Sequence, residues 1–150
     1  MPASTDPIFT KNVKTPIGPL ITAANTSSQG GGTIGTDIFL VGITGTTDGS
    51  FSQRIRFFPT ATAPTSTTAT VGRIFISSQT SGATTSANTM CIAEIALPVI
   101  SADNSTSQAQ YIDVPIAAGI EAGRAILATN HAAPAANTAW RAILLGFGEY

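Results

Sequence analysis

The sequence predicts an all-β fold: a single antiparallel β-sandwich, jelly-roll-like, preceded by an extended N-terminal arm. Three observations carry this. Short apolar runs alternate with polar residues at period two. Turn residues punctuate the chain at nearly regular spacing. And the stretch most open to a helical reading, Ile116 to Ala128, contains Gly119 and Gly123 and follows Pro115, which argues against a helix.

The organising strand is Phe51–Pro59. Phe51, Ile55 and Phe57 are expected on one face, with Ser52, Arg54 and Arg56 on the other. A Thr/Ala/Pro loop leads to a partner strand from Val71 to Ser78, in which Ile74 and Ile76 alternate with Arg73 and Phe75. Before the pair stands a nearly continuous apolar strand, Thr36–Thr44, closed by an Asp48-Gly49 turn. After it come Thr89–Leu97, stopped by Pro98, then Gln110–Ile116, an Ala/Gly corner over 117–123, Arg124–Thr129 and Ala139–Phe147. Seven strands of this kind suit a two-layer β-fold. The expected core is Phe51, Ile55, Phe57, Ile74, Ile76, Ile95 and Trp140.

Residues 1–35 read differently. Glycines and prolines are scattered among Thr, Ser and Asn, and only two short apolar pieces interrupt them. The expected division is therefore an extended arm and Gly-rich linker over 1–35, with a disordered tail as the alternative, and a sandwich domain over 36–150. The arm's Ile8, Phe9, Leu20 and Ile21 are candidate interface anchors, on this domain or a neighbour, and Lys11 and Lys14 are candidate partners for acidic groups.

Composition narrows the function. Charged residues make up 10% of the chain and the net charge is −1, so there is no basic nucleic-acid footprint. No apolar run approaches the ~20 residues that span a bilayer. The first residues lack the charged and apolar regions of a signal peptide. Synthesis in a reducing cytosol follows as the expectation, the chain staying intracellular or leaving only by lysis or within a particle. Cys91 is the only cysteine, so no disulfide can form within the chain.

Catalytic and metal chemistry find little support. His131 is the only histidine and sits in an Asn/Ala/Pro loop; one His and one Cys do not make a zinc site. Cys91 lies mid-strand on an apolar face, as a small core residue would. Glu94, Asp113 and Glu121 lie on or beside strands without the spacing of a catalytic pair. Gly30-Gly31-Gly32 lacks the Lys-Ser/Thr of a phosphate loop. No catalytic, cofactor or metal residue is expected, and no turnover. Arg54 and Arg56 form a basic stripe, either paired with an acid across the sheet or offered to an acidic neighbour.

Assembly is signalled by strands without a wet face. In the last strand Trp140, Ala142 and Leu144 share one side, and Ile143, Leu145 and Phe147 share the other with Arg141. In the fourth, Met90 and Ile92 oppose Cys91, Ala93, Ile95 and Leu97. Two greasy faces point either to central strands covered by loops or, the reading preferred here, to an outer face buried in a homo-oligomer.

A resemblance adds to this. The Arg54-Ile-Arg-Phe57 strand after an Asp-Gly turn, the Arg73-Ile-Phe-Ile76 strand, the Glu94-to-Pro98 strand ending Leu-Pro, the Ala118-Gly119 corner and the closing Gly148-Glu-Tyr150 occur in an order that resembles a family of small tailed-bacteriophage virion proteins. It covers about three quarters of the chain, from Thr36 on. It implies a structural virion component that decorates and stabilises the head, with the major capsid protein as partner and the capsid surface as location. It brings no catalytic residues. A trimer is the expected oligomer, from the three-fold positions where decoration proteins commonly sit. No nucleic acid and no membrane are expected as partners. Two other classes are a tail, neck or fibre protein with a carbohydrate-binding β-sandwich, using Trp140, Tyr111 or Tyr150 as platforms, and a hydrolase.

Overall fold

The computed structural model describes residues 10–62, 65–101 and 110–150. Ile8 and Phe9 lie outside them. Every regular element among the described residues is a strand: β1 (Asn12–Lys14), β2 (Ile17–Ile21), β3 (Gly32–Thr33), β4 (Phe39–Ile43), β5 (Ser50–Ala61), β6 (Thr70–Ser77), β7 (Ala83–Thr84), β8 (Thr89–Leu97), β9 (Ile112–Ile120), β10 (Ala125–Asn130) and β11 (Thr138–Glu149).

They form antiparallel sheets. A five-stranded sheet runs β1-β11-β5-β9, with β2 also on β11. A four-stranded sheet runs β4-β10-β6-β8, and β3 pairs with β7. One apolar cluster draws on both large sheets. Ile21, Ile55, Phe57, Trp140, Leu144 and Phe147 come from the first; Phe39, Val41, Ile74, Leu97 and Ile126 come from the second. Of the expected core, Ile55, Phe57, Ile74 and Trp140 are fully buried, whereas Ile76 and Ile95 pack only partly against it.

Phe51 departs from expectation for a clear reason. Ser52 is buried and Phe51 only half-buried, yet Ile55 and Phe57 point into the core. The strand changes phase at Gln53, where the β5·β9 register shifts between Ser52 and Arg54. On β11, beside this point, Gly146 has φ +61, and a Cβ there would lie 2.7 Å from the Gln53 side chain. The same kink sends Phe147 into the core instead of leaving it on the face of Ile143 and Leu145.

The strand assignment departs most from the sequence reading in two places. The expected Ala/Gly corner is mostly strand: β9 continues to Ile120, and the turn falls at Glu121–Arg124. And much of the expected arm is sheet. β1 and β2, separated at Thr15-Pro16, both add to β11, with Lys14 opposite Phe147 and Leu20 opposite Arg141.

The expected glycine linker is held in place as well. Asn25 is buried; its N–H donates to the Asn130 carbonyl (2.7 Å), its Nδ2 donates to the Gly31 carbonyl (3.0 Å), and its Oδ1 accepts from the Ser27 amide (2.8 Å). Gly30 has φ +83, and a Cβ there would fall 2.6 Å from Thr89. Only glycine permits that approach.

Candidate functional site

The two large sheets differ on their outer sides. On the four-stranded sheet, Ile38, Phe75, Ala125 and Leu127 form a second apolar cluster, joined by Ile34, Leu40 and Cys91. Segment 24–38 contributes Ile34 and Ile38 to it and bonds to β10 and β7. All six residues of β10 are consequently buried. Arg73, 7% exposed, is enclosed on this side. It pairs with Glu94, donates to the Asn25 carbonyl (3.3 Å) and lies 3.2 Å from His131 Nδ1. The outer face of the five-stranded sheet has no such cover among the described residues.

The pleat of β11 builds that second face. Trp140, Ala142 and Leu144 go inward, so Arg141, Ile143 and Leu145 go outward. Their cross-strand neighbours define three rows. Leu20, Arg141 and Phe58 form one; Ile17, Ile143, Arg56 and Asp113 the next; Leu145, Arg54 and Pro115 the third. Ile17 is 62% exposed and Leu20 40%. This is an apolar surface crossed by three arginines.

Asp113 collects two of them. Arg56 Nε and Nη2 donate to its two carboxylate oxygens at 2.7 and 2.9 Å, and Arg54 Nη1 lies 3.6 Å away. The Arg56 fork holds the Asp113 carboxyl below its ordinary value, and the same bond raises the Arg56 guanidinium. Arg56 also stacks 3.5 Å over the ring of Tyr111, which is 53% exposed. Arg141 has no ion pair among the described residues, and its Nε is buried without a hydrogen-bond partner, as is that of Arg54. Beside it a groove of about 460 Å³ is lined by Leu20, Thr22, Thr60, Thr62, Asn137 and Arg141.

The other sequence candidates disperse. Ile21, expected as an anchor, is 1% exposed in the domain's own core, because the β2 pleat turns it inward while Leu20 faces out. Lys14 pairs with Glu149 at 2.6 Å, and the Lys11 amide donates to the Glu149 carbonyl. Glu94, Asp113 and Glu121 each take a different arginine partner, with Arg124 on Glu121, so the three carboxylates do not converge. No three His, Cys, Asp or Glu side chains cluster as metal ligands among the described residues. Desolvation pushes the Cys91 thiol up, away from thiolate chemistry. Trp140 is core. In the sequence Arg141 is only a polar interruption of a greasy face; its one signal is an arginine flanked by Ala139–Trp140 and Ala142–Leu145.

The chain matches no known protein family, no curated protein and no solved structure.

Proposed function

We propose that the chain is a structural virion protein of a tailed bacteriophage, a decoration and stabilisation protein on the capsid surface, folded as a single jelly-roll sandwich and acting as a homo-oligomer with the major capsid protein as partner. The observation that carries this reading is the outer face of the five-stranded sheet, which no described residue covers. It is apolar, ribbed with arginines and continuous across four strands, while the opposite outer face is closed by the chain itself. Surfaces of this kind mark protein contacts.

The jelly-roll reading has its own support. Four ladders join strands pairwise from the ends of the chain toward its middle: β2·β11, β4·β10, β5·β9 and β6·β8. That is the pairing of one long hairpin folded over on itself, and β11·β5 and β10·β6 then close the two sheets. Jelly rolls recur in viral capsid and lectin domains, which is support by analogy of fold. The resemblance of residues 36–150 to small virion proteins points the same way.

The test is the copy number of the chain in purified particles, by quantitative mass spectrometry. Hundreds of copies per particle are expected. A handful would move the protein to the tail, neck or a fibre, where exposed Tyr111 would be the first residue to examine for glycan contact. Absence from particles would overturn the virion reading.

A further inference from the structure

Of the five arginines, four have carboxylate partners. Arg54 and Arg56 share Asp113, Arg73 has Glu94 and Arg124 has Glu121; Arg141 has none among the described residues. Its position makes this costly. It is half-buried between Leu20 and Phe58, and its Nε donor is buried with nothing among the described residues to accept from it. A desolvated donor without an acceptor destabilises the fold unless something else completes it. The groove lined by Leu20, Arg141 and the Thr22, Thr60 and Thr62 side chains opens at that point.

The charge of the face selects the occupant. Among the described residues, Arg54, Arg56 and Arg141 stand against one carboxylate, Asp113, an excess of two positive charges on a chain whose net charge is −1. Face-to-face pairing with a second copy would set that excess against itself. A surface that is apolar and carries a carboxylate fits instead. It would fill the groove, accept from the Arg141 fork in the bidentate manner carboxylates favour, and cover Ile17, Ile143 and Leu145.

We propose that the Arg141 groove is the anchor of the docking face and receives a carboxylate side chain, set among apolar residues, from the shell protein. This rests on the virion reading above. It makes Arg141 the hot spot of the contact and assigns homo-oligomer contacts to other surfaces of the chain.

The test adds the purified full-length protein to undecorated shells of the phage that encodes it and measures binding by co-sedimentation. Arg141→Gln should weaken binding roughly thirtyfold or more, as expected when one partner of a buried charge pair is removed. Leu20→Glu is the second variant. Leu20 faces Arg141 across the β2·β11 ladder, so the new carboxylate would occupy the guanidinium from within. It should weaken binding to a similar extent while leaving the melting temperature unchanged or raised, an outcome that damage to the fold would not give. Arg124→Gln, away from the face, should bind as wild type. Wild-type affinity in both Arg141→Gln and Leu20→Glu would overturn the anchor while leaving the virion reading intact. Failure of the wild-type protein itself to bind would instead overturn the capsid-surface reading, and the anchor with it.

Discussion

The two outer faces of this molecule solve one problem in opposite ways. Both sheets present apolar side chains away from the shared core. On the four-stranded sheet the chain folds back over them: segment 24–38 brings Ile34 and Ile38 onto Phe75 and Leu127, and Asn25 ties the cover to β10. On the five-stranded sheet nothing among the described residues covers Ile17, Leu20, Ile143 and Leu145. The difference extends to charge. Arg73 on the covered side is enclosed and paired with Glu94, whereas Arg141 on the other side has no carboxylate partner among the described residues. The chain closes one outer face itself and, among its described residues, leaves the other open; that open face is the one the proposed docking uses.

Mutations should separate the faces. The largest effect is expected at Phe75, which is 0% exposed under the cover. Phe75→Ala should cost about 3–5 kcal/mol in chemical denaturation. A cost under ~1 kcal/mol would mean that the cover is loose and that the two faces are alike. Arg73→Ala comes next, at about 1–3 kcal/mol, since it strips the Asn25 carbonyl and His131 of a donor and leaves a gap where the enclosed guanidinium lay. Glu94→Gln should also lose stability in the same measurement, because it leaves the enclosed Arg73 without its counter-charge.

A smaller effect should appear on the bare side as a pH dependence. Asp113 has its carboxyl lowered by the Arg56 hydrogen bond. A group lowered on folding adds stability that is present above the ordinary carboxylate value of ~3.9 and is lost as pH falls through the folded value. Acid unfolding followed between neutral pH and pH 2 should therefore lose part of its slope in Asp113→Asn. An unchanged curve would show that the Arg56–Asp113 fork contributes nothing to folding. The smallest effect belongs to Ile17, largely exposed on the open face. Ile17→Ala should leave stability within about 0.5 kcal/mol, and a loss above 2 kcal/mol would mean that this face is already covered within the chain.

What could be read from the sequence was local. The strands around Ile55, Ile74 and Trp140 announce themselves by alternation, and these residues are core. The cross-strand acid was one of the two options for Arg54 and Arg56, and it is Asp113. Two kinds of information escaped. Phase changes depend on a partner strand: Phe51 leaves the core because Gln53 meets Gly146, and neither residue signals the meeting alone. Long-range pairing is the other. Pro16, Gly18 and Pro19 make β2 look like an arm, since the partner that makes it a strand is Trp140–Ile143, far along the chain. The glycine run misled for a related reason. Its flexibility in isolation is real, but Gly30 is needed for close approach to Thr89. The unpaired state of Arg141 is likewise a fact about neighbours, invisible until the sheet is assembled.

The nested pairing of strands also sets the order of events in folding. The ladder from β2 to β11 joins the two ends of the described chain, and β11 also supplies the long neighbour of β5. A fragment ending before Thr138 leaves β1, β2 and one flank of β5 without hydrogen-bond partners, and Ile55 and Phe57 without Trp140 and Leu144. The innermost ladder, β6·β8, can close locally and take on β10, but no consecutive half of the sequence completes either sheet. Completion waits for the most distant segments to meet, which places refolding in the slow range for two-state proteins, roughly milliseconds to seconds. During that interval the strands destined for β11 expose their edges and are open to pairing between chains. Yield on refolding should fall as protein concentration rises, long before any defect shows in the finished molecule.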